Sequence, residues 1–372
     1  MELAELMALR PEPAAGLLMM LTRRCPLSCA HCSTDSTMAA GGPDPDRLLR
    51  FVGSFTPQDR PDVLMMTGGE PLMMPELSAE LAVRARRAGT RSALLTGAFF
   101  ARGAARGASR AREVIPTRVR RAIDAVDHLS VSVDAFHERE VARADVFRVV
   151  REVLESGTSV SLHLVGTDPL DPYLAETTAA VRRAFEDRVP MLVNTVRPVG
   201  RAAGRPGTRP PVAAPLDPLR SAPCSMAAWP VVTADGTVVA CCNQDVVDRR
   251  PVPAHLLLGH VAEDDWGAVR GRTLASPVLR SVRSGGPLRL LARHGGPAAR
   301  AAGEAGTCAG CRALPEHPEA LAGAARVASG PAGALLDRRA ARRRREAGPV
   351  AYVRRHGCAA YADLVALPGA AP

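Results

Sequence analysis

Cys25, Cys29 and Cys32 stand in the spacing C-x3-C-x2-C within Cys25-Pro26-Leu27-Ser28-Cys29-Ala30-His31-Cys32. Three thiolates this close can wrap one cubic iron-sulfur cluster, and because a 4Fe-4S cube needs four ligands, one iron is left open. An open iron can chelate a small ligand through an amino and a carboxylate group and pass it an electron. A zinc ion with His31 as fourth ligand is the competing assignment, although structural zinc sites usually pair their ligands as two separated knuckles.

A second set comprises Cys224, Cys241, Cys308 and Cys311, the last two as C-x2-C. Pro230 to Ala240 reads as two strands around the turn Asp235-Gly236, a strong hairpin signal. Such a hairpin brings Cys224, ahead of its first strand, near Cys241 at the end of its second. Zinc is an alternative to an iron-sulfur cluster here, because four cysteines ending in C-x2-C are what zinc ribbons use. Cys242 follows Cys241 directly; on an extended strand the two side chains point to opposite faces, so they are not expected to share one cluster. A buried, small hydrophobic role is open to Cys242, and Cys358 is the remaining unassigned cysteine.

The elements that must position these residues form an α/β pattern. From Gly16 to Thr195, strand-like runs at Leu17–Thr22, Val63–Thr67, Ser92–Thr96, Leu129–Asp134, Ser159–Val165 and Met191–Thr195 alternate with helix-like stretches. The alternation predicts βα units around a parallel sheet, and six units make a partial (β/α)6 barrel. Helices are expected over Asp46–Phe55, Pro75–Ala88, Glu138–Glu155 and Pro172–Phe185. In Leu129–Asp134 and Ser159–Val165, polar and apolar residues alternate, so one sheet face carries Ser130, Ser132, Asp134, Ser159, Ser161 and His163. That face is expected to line a polar cavity, where an ordinary barrel stacks branched apolar side chains; an antiparallel sheet with one solvated face is the alternative.

The expected organisation is an N-terminal extension at 1–15, the barrel at 16–196, a Pro/Gly/Arg-rich linker at 197–223, a cluster-binding unit at 224–311, and an Ala/Arg-rich tail at 312–372 made of a helix and a loose end. The run Arg342 to Arg345 is explained by a solvated face.

The net charge is +10 and every basic residue is arginine, a bias of the coding sequence more than a nucleic-acid footprint. Three Tyr, two Trp and seven Phe offer few platforms for stacked bases, so nucleic acid is not an expected partner. The acidic N-terminus lacks the marks of a signal peptide and the apolar run Leu17 to Leu21 is too short to span a bilayer. A cytoplasmic location without membrane contact is expected, where clustered cysteines favour metal over disulfides.

The chain resembles the radical S-adenosylmethionine (SAM) superfamily from about Gly16 to Cys311. The resemblance rests on the three-cysteine loop after strand one, on Thr67-Gly68-Gly69-Glu70-Pro71 after strand two, and on Ser132 and Asp134 closing strand four. It implies a 4Fe-4S cluster on Cys25, Cys29 and Cys32, and reductive cleavage of SAM to a 5'-deoxyadenosyl radical that abstracts hydrogen from a substrate. It implies that Gly68, Gly69 and Glu70 hold the SAM amino group, with glycines permitting close approach, and that Ser132 and Asp134 contact the ribose. His31 departs from the aromatic residue many members carry there. Cys224, then Gly236, four residues and Cys241 resemble the opening of the SPASM and Twitch auxiliary domains. The longer cysteine run of a full SPASM domain is lacking, so the Twitch form with one auxiliary 4Fe-4S cluster fits better.

The resemblance further implies an enzyme of oxidoreductase or epimerase type, served by an electron donor such as a flavodoxin or ferredoxin. Its substrate is a peptide or another natural product; the alternative is a sugar or aminocyclitol that is dehydrogenated or epimerised. Only about 15 residues precede strand one, so a peptide substrate is expected to need a separate leader-peptide recognition protein or another docking surface. Cys242 is the candidate catalytic residue, as a hydrogen-atom donor to a substrate radical. A non-catalytic iron-sulfur or zinc protein is the remaining class; it does not explain the Gly68, Gly69, Glu70 and Ser132, Asp134 constellation.

Overall fold

A computed structural model describes residues 1–103, 114–204, 223–304 and 306–367. They form two compact units: one built from 1–8, 19–209 and 347–372, the other from 9–18 and 210–346.

The first unit is a parallel α/β sheet. Its strands are β1 (Gly16–Met20), β2 (Val63–Thr67), β3 (Arg91–Thr96), β4 (His128–Ser132), β5 (Ser159–Gly166) and β6 (Met191–Thr195), in the spatial order β6-β5-β4-β3-β2-β1. Pairing is parallel from β2 through β6. Sequential order with helical crossovers and no closing pair is the expected partial (β/α)6 barrel. The sequence Val-Leu-Met-Met of β2 is buried throughout, as a strand covered on both faces requires.

Local chemistry sets the helix ends. The helix Pro45–Gly53 has proline in its first turn and the Asp44 carboxylate on Asp46 N; Pro172–Phe185 repeats the device with Asp171 on Tyr173 N. The fourth crossover helix begins at Arg143, five residues later than expected. Asp134 is the reason: its carboxylate accepts from Phe136 N and His137 N, and its carbonyl from Glu138 N, which holds a turn where the helix would start.

The polar sheet face is a hydrogen-bonded layer over much of its length, which corrects the expected cavity. Ser161 Oγ lies 2.8 Å from His128 Nε2 and 3.0 Å from Ser130 Oγ. The chain's first residues close this end: His128 Nδ1 lies 2.9 Å from Met1 O, and Ser159 Oγ donates to Glu2 at 2.6 Å. Burial pushes the His128 imidazole down to about 4, so the ring is neutral. Only Ser132 and His163, register partners on β4 and β5, stay half-buried beyond the layer.

The far edge of the sheet is covered. The segment after the helix Gly348–His356 runs beside β6, where Cys358 N donates to Val193 O at 2.9 Å. Pairing of this kind blunts an edge strand. Cys358 is 3% exposed and serves this packing. The stretch expected as one helix and a loose end therefore carries the helices Pro318–Ala328, Gly330–Glu346 and Gly348–His356.

In the second unit, β7 (Val231–Val232), β8 (Thr237–Val239) and β9 (Leu257–His260) pair antiparallel. The predicted hairpin turns at Gly236, whose φ of +88° favours glycine, with Asp235 Oδ1 receiving Thr237 N at 3.1 Å. Among the described residues seven α-helices follow up to Glu346. Their core joins Val282, Leu288, Leu291, Leu314 and Ala324, with Cys224 and Cys311 packed against it. Inside it, the Arg283 guanidinium, 1% exposed, grips Asp337 with Nη2 to Oδ2 at 2.6 Å and also donates to Ala227 O and Thr273 O. Arg344, expected on a solvated face, donates to Ser225 Oγ at 2.9 Å and to Arg283 O. Of the expected linker, residues 205–222 lie outside the described residues, while 197–204 form an ordered turn with a 3-10 segment at Gly200–Ala202. Among the described residues no helix is long and apolar enough to cross a membrane.

Candidate metal centres

Cys25, Cys29 and Cys32 lie on the loop that follows β1. Its backbone is bound to the turn after β2: Gly69 N donates to Thr22 O at 2.6 Å and Glu70 N to Arg24 O at 2.9 Å. A Cβ on Gly68 would come within 2.3 Å of Thr22 O, and one on Gly69 within 2.3 Å of Arg24 O. The two glycines thus admit the cysteine loop itself. Beyond them the buried Glu70 ties β2 to β3, accepting from Leu72 N, Thr96 Oγ1 and Gly97 N at 2.9–3.0 Å. Burial pushes its carboxyl up to about 7, against the opposing pull of those donors.

A second clamp comes from the segment after β6, a part that sequence reasoning assigned to the linker. Arg201 donates from its backbone to Cys32 O and from its guanidinium to Cys29 O, both at 2.9 Å, and also to Ser36 O and Asp35. Gly200, at φ +54°, makes this approach possible, since a Cβ there would sit 2.2 Å from Ser33 O. From a third side Arg102 donates to Pro26 O and to Glu140, which accepts in turn from Ser28 N. The one sequence signal for Arg201 was a glycine-arginine pair just after a strand end, where barrel sites gather.

The sulfurs receive backbone N–H groups: Leu27 N is 3.4 Å from Cys25 Sγ and Ser36 N 3.5 Å from Cys32 Sγ. Donors to sulfur are the usual surroundings of cluster thiolates. Burial pushes the Cys25 thiol up to about 12, with Glu70 and the two other cysteines adding to it. Three thiolates can coexist here once a cation lies between them.

Asp134 is 1% exposed and its carboxylate is committed to the protein. Besides the turn, Oδ2 lies 2.8 Å from His137 Nδ1 and 3.4 Å from His31 Nε2. Burial opposes charge on His137, but Asp134 and then Cys29 outweigh it and carry the imidazole to about 10. Asp134 is held well below the usual carboxylate range: burial works against this, and His137 and His31 prevail. The His31 ring stacks on Phe136 at 4.5 Å, and its Nδ1 is buried without a hydrogen-bond partner. His31, Asp134 and His137 have their ligand atoms within 4.8 Å of one another.

In the second unit Cys224, Cys241 and the pair Cys308 and Cys311, the last two on the helix Thr307–Ala313, come from three places in the chain. Cys224 N donates to Val282 O at 3.0 Å, Asn243 reaches Cys241 Sγ and Cys308 Sγ at 3.4 Å each, and His255 Nε2 lies 3.8 Å from Cys311 Sγ. Burial pushes the Cys311 thiol up to about 12, with Cys224 and Cys308 adding to it. Cys242 follows the end of β8 in irregular backbone, so strand alternation does not separate it from Cys241. Its sulfur accepts from Arg10 Nη2 at 3.5 Å, and Cys224 feels its charge. Arg10 in turn lies over the Trp229 ring at 4.4 Å.

Zinc bonds of about 2.3 Å in a tetrahedron bring sulfurs to about 3.8 Å of one another. Among the described residues neither cysteine set has three ligand atoms within 4.8 Å of one another.

Residues 19–171 match the family model of the radical SAM superfamily. A PqqA peptide cyclase from Streptomyces rochei is 30% identical over 161 residues, which is 40% of this chain and 39% of that protein. The match therefore spans about two fifths of that relative's length. SuiB from Streptococcus suis, solved bound to S-adenosylmethionine, superposes with a TM-score of 0.50 over 76% of this chain and 75% of its own, at 11% identity. That likeness is one of fold. Together with the cysteine loop after β1, the Gly68-Gly69-Glu70 turn locked onto it, and the open six-stranded barrel, the family-model match identifies a radical SAM domain over residues 19–171.

Proposed function

We propose that the chain reductively cleaves SAM and uses the radical to abstract hydrogen from a peptide substrate. The observation that carries this reading is the three-thiol loop, gripped from β2, β6 and Arg102, with N–H donors on its sulfurs. A 4Fe-4S cluster on Cys25, Cys29 and Cys32 would supply the electron that breaks a C–S bond of SAM. A flavodoxin or ferredoxin would serve as reductant.

The engaged groups refine the expected roles. The Glu70 carboxylate is committed and Glu70 O accepts from Met73 N, so within Gly68, Gly69 and Glu70 the proposed acceptors for the SAM amino group are the backbone carbonyls of Gly68 and Gly69. Ser132, half-buried at the end of β4, is the proposed ribose contact, and Asp134 acts there by positioning His137. Cys224, Cys241, Cys308 and Cys311 are proposed to hold an auxiliary 4Fe-4S cluster, a reading supported by the N–H donors of Asn243 on Cys241 and Cys308. Cys242 remains the proposed hydrogen-atom donor.

A peptide is preferred as substrate because the relative that matches at 30% identity is a peptide cyclase, and because the polar strand faces that favoured a sugar or aminocyclitol bond one another. Dithionite-reduced, reconstituted enzyme is given SAM with a mixed-sequence peptide library made from deuterated residues, or with deuterated aminocyclitols. Deuterium is expected in 5'-deoxyadenosine from the peptides. Deuterium arriving only from the aminocyclitols would overturn the peptide assignment.

A further inference from the structure

The second unit contains a cavity of about 350 Å³ bounded by the helices Pro277–Ser284, Pro287–His294, Pro318–Ala328 and Gly330–Glu346. Arg289, Arg293, Arg339 and Arg343 line it, and no aspartate or glutamate does. Elsewhere on these helices Arg283 pairs with Asp337, Arg342 with Glu346 and Arg345 with Glu12. Among the described residues the four of the cavity have no carboxylate partner.

Four guanidinium groups around one hollow repel one another, and an anion seated there would remove that cost. The field is felt by His294, also on the wall, whose imidazole is held below its ordinary value by burial and then by Arg293 and Arg326. The cavity is also apolar where water would not favour it. Val327 and Leu336 line it at 47% and 51% exposure, with Leu335 at 60% beside them. An apolar patch rimmed by charge marks an interaction surface. No Phe, Tyr or Trp lines the cavity, so it lacks the stacking platforms a single-stranded nucleic acid would use.

We propose that this cavity is a docking site for an acidic segment of the peptide substrate that carries apolar anchors, separate from the residues on which the chemistry occurs. The inference rests on the peptide reading and gives it a recognition surface. Carboxylates of the segment pair with the arginines in bidentate fashion, while one or two leucine-like side chains cover Val327 and Leu336. Such a surface would let the enzyme itself select an acidic leader.

The test uses the reconstituted full chain and a fluorescein-labelled peptide of about 14 residues in which two Glu alternate with one Leu. Anisotropy is read at about 50 mM salt, where charge pairing is only partly screened. Arg339→Glu/Arg343→Glu is expected to weaken binding at least tenfold. Arg338→Glu/Arg342→Glu makes the same change in net charge on the same helix and is expected to weaken it less than threefold. Leu336→Ser should cost a few-fold, and SAM cleavage without peptide should be unchanged in all three variants.

Equal weakening by both double variants would reduce the effect to net charge and overturn the proposal. So would equal affinity for a Glu/Gly peptide without leucine, or tighter binding of a single-stranded RNA of similar length. Binding is read by anisotropy and substrate class by deuterium transfer, so the two failures separate. Peptide bound at this surface with deuterium drawn only from aminocyclitols would sink the substrate reading, whereas deuterium drawn from peptides with binding indifferent to Arg339 and Arg343 would sink the docking site alone.

Discussion

The two cysteine sets are assembled by opposite means. Cys25, Cys29 and Cys32 lie within eight residues, and the protein adds to them mainly by gripping their backbone: Thr22 and Arg24 against the glycine turn, Cys29 and Cys32 against Arg201. Cys224, Cys241, Cys308 and Cys311 come from distant parts of the second unit, so their geometry depends on helix packing: Cys224 N donates to Val282 O, and the next residue, Arg283, grips Asp337. A locally closed loop tolerates loss of one distant contact, whereas a set assembled by packing fails when the packing fails.

The sharpest way to break this contrast is Asp337→Ala, which leaves the buried Arg283 charge without its partner. Removing one member of a buried pair costs about 3–5 kcal/mol. Iron is expected to fall from about eight to about four per chain, with 5'-deoxyadenosine still formed. Iron that stays near eight would show that the second set does not lean on this pair.

Arg201→Ala removes three guanidinium contacts to the cysteine loop and should cost about 1.5–3 kcal/mol. The loss is expected in the other cluster: SAM cleavage falls about tenfold while the auxiliary cluster's spectrum is unchanged. Arg201→Lys should rescue only part of it, because an ammonium cannot reproduce the fork that reaches Cys29 O and Ser36 O together. Full activity of the alanine variant would make Arg201 a surface residue.

Gly69→Ala probes the closeness of the glycine turn to Arg24 O, with overpacking costs of about 1–3 kcal/mol. Iron on the first set should fall in proportion, measured against the unchanged second set. An alanine variant with parental iron would show that the turn can move aside.

The smallest expected change is in Cys242→Ala. Both clusters and SAM cleavage should persist, and substrate should be left incomplete or oxidised. Loss of about four iron would make Cys242 a cluster ligand, consistent with its place beside Cys224 and Arg10.

Legibility in the sequence divides along the same line. Strands such as Val63–Thr67 and the helix Pro172–Phe185 were legible to the residue, because apolar runs and proline starts are local signals. The three-cysteine loop was legible for the same reason. Arg201 was not, since its contacts lie more than 160 residues back in the chain and its segment looks like a linker by composition. The polar face of β4 and β5 was seen but misjudged: nothing local shows that Met1 and Glu2 return to cover His128 and Ser159. The glycines of the Gly68-Gly69-Glu70 turn were assigned to close approach, but what approaches is the cysteine loop. Arg344 and Arg343 read as one charged run, although one binds Arg283 O and the other borders a cavity.

The central claim is that Cys25, Cys29 and Cys32 hold the cluster that cleaves SAM, independently of the second set. It is tested most directly by replacing all three with alanine and measuring iron and 5'-deoxyadenosine together under dithionite. The variant should retain about four iron per chain and form no 5'-deoxyadenosine. Continued SAM cleavage in that variant would contradict the account.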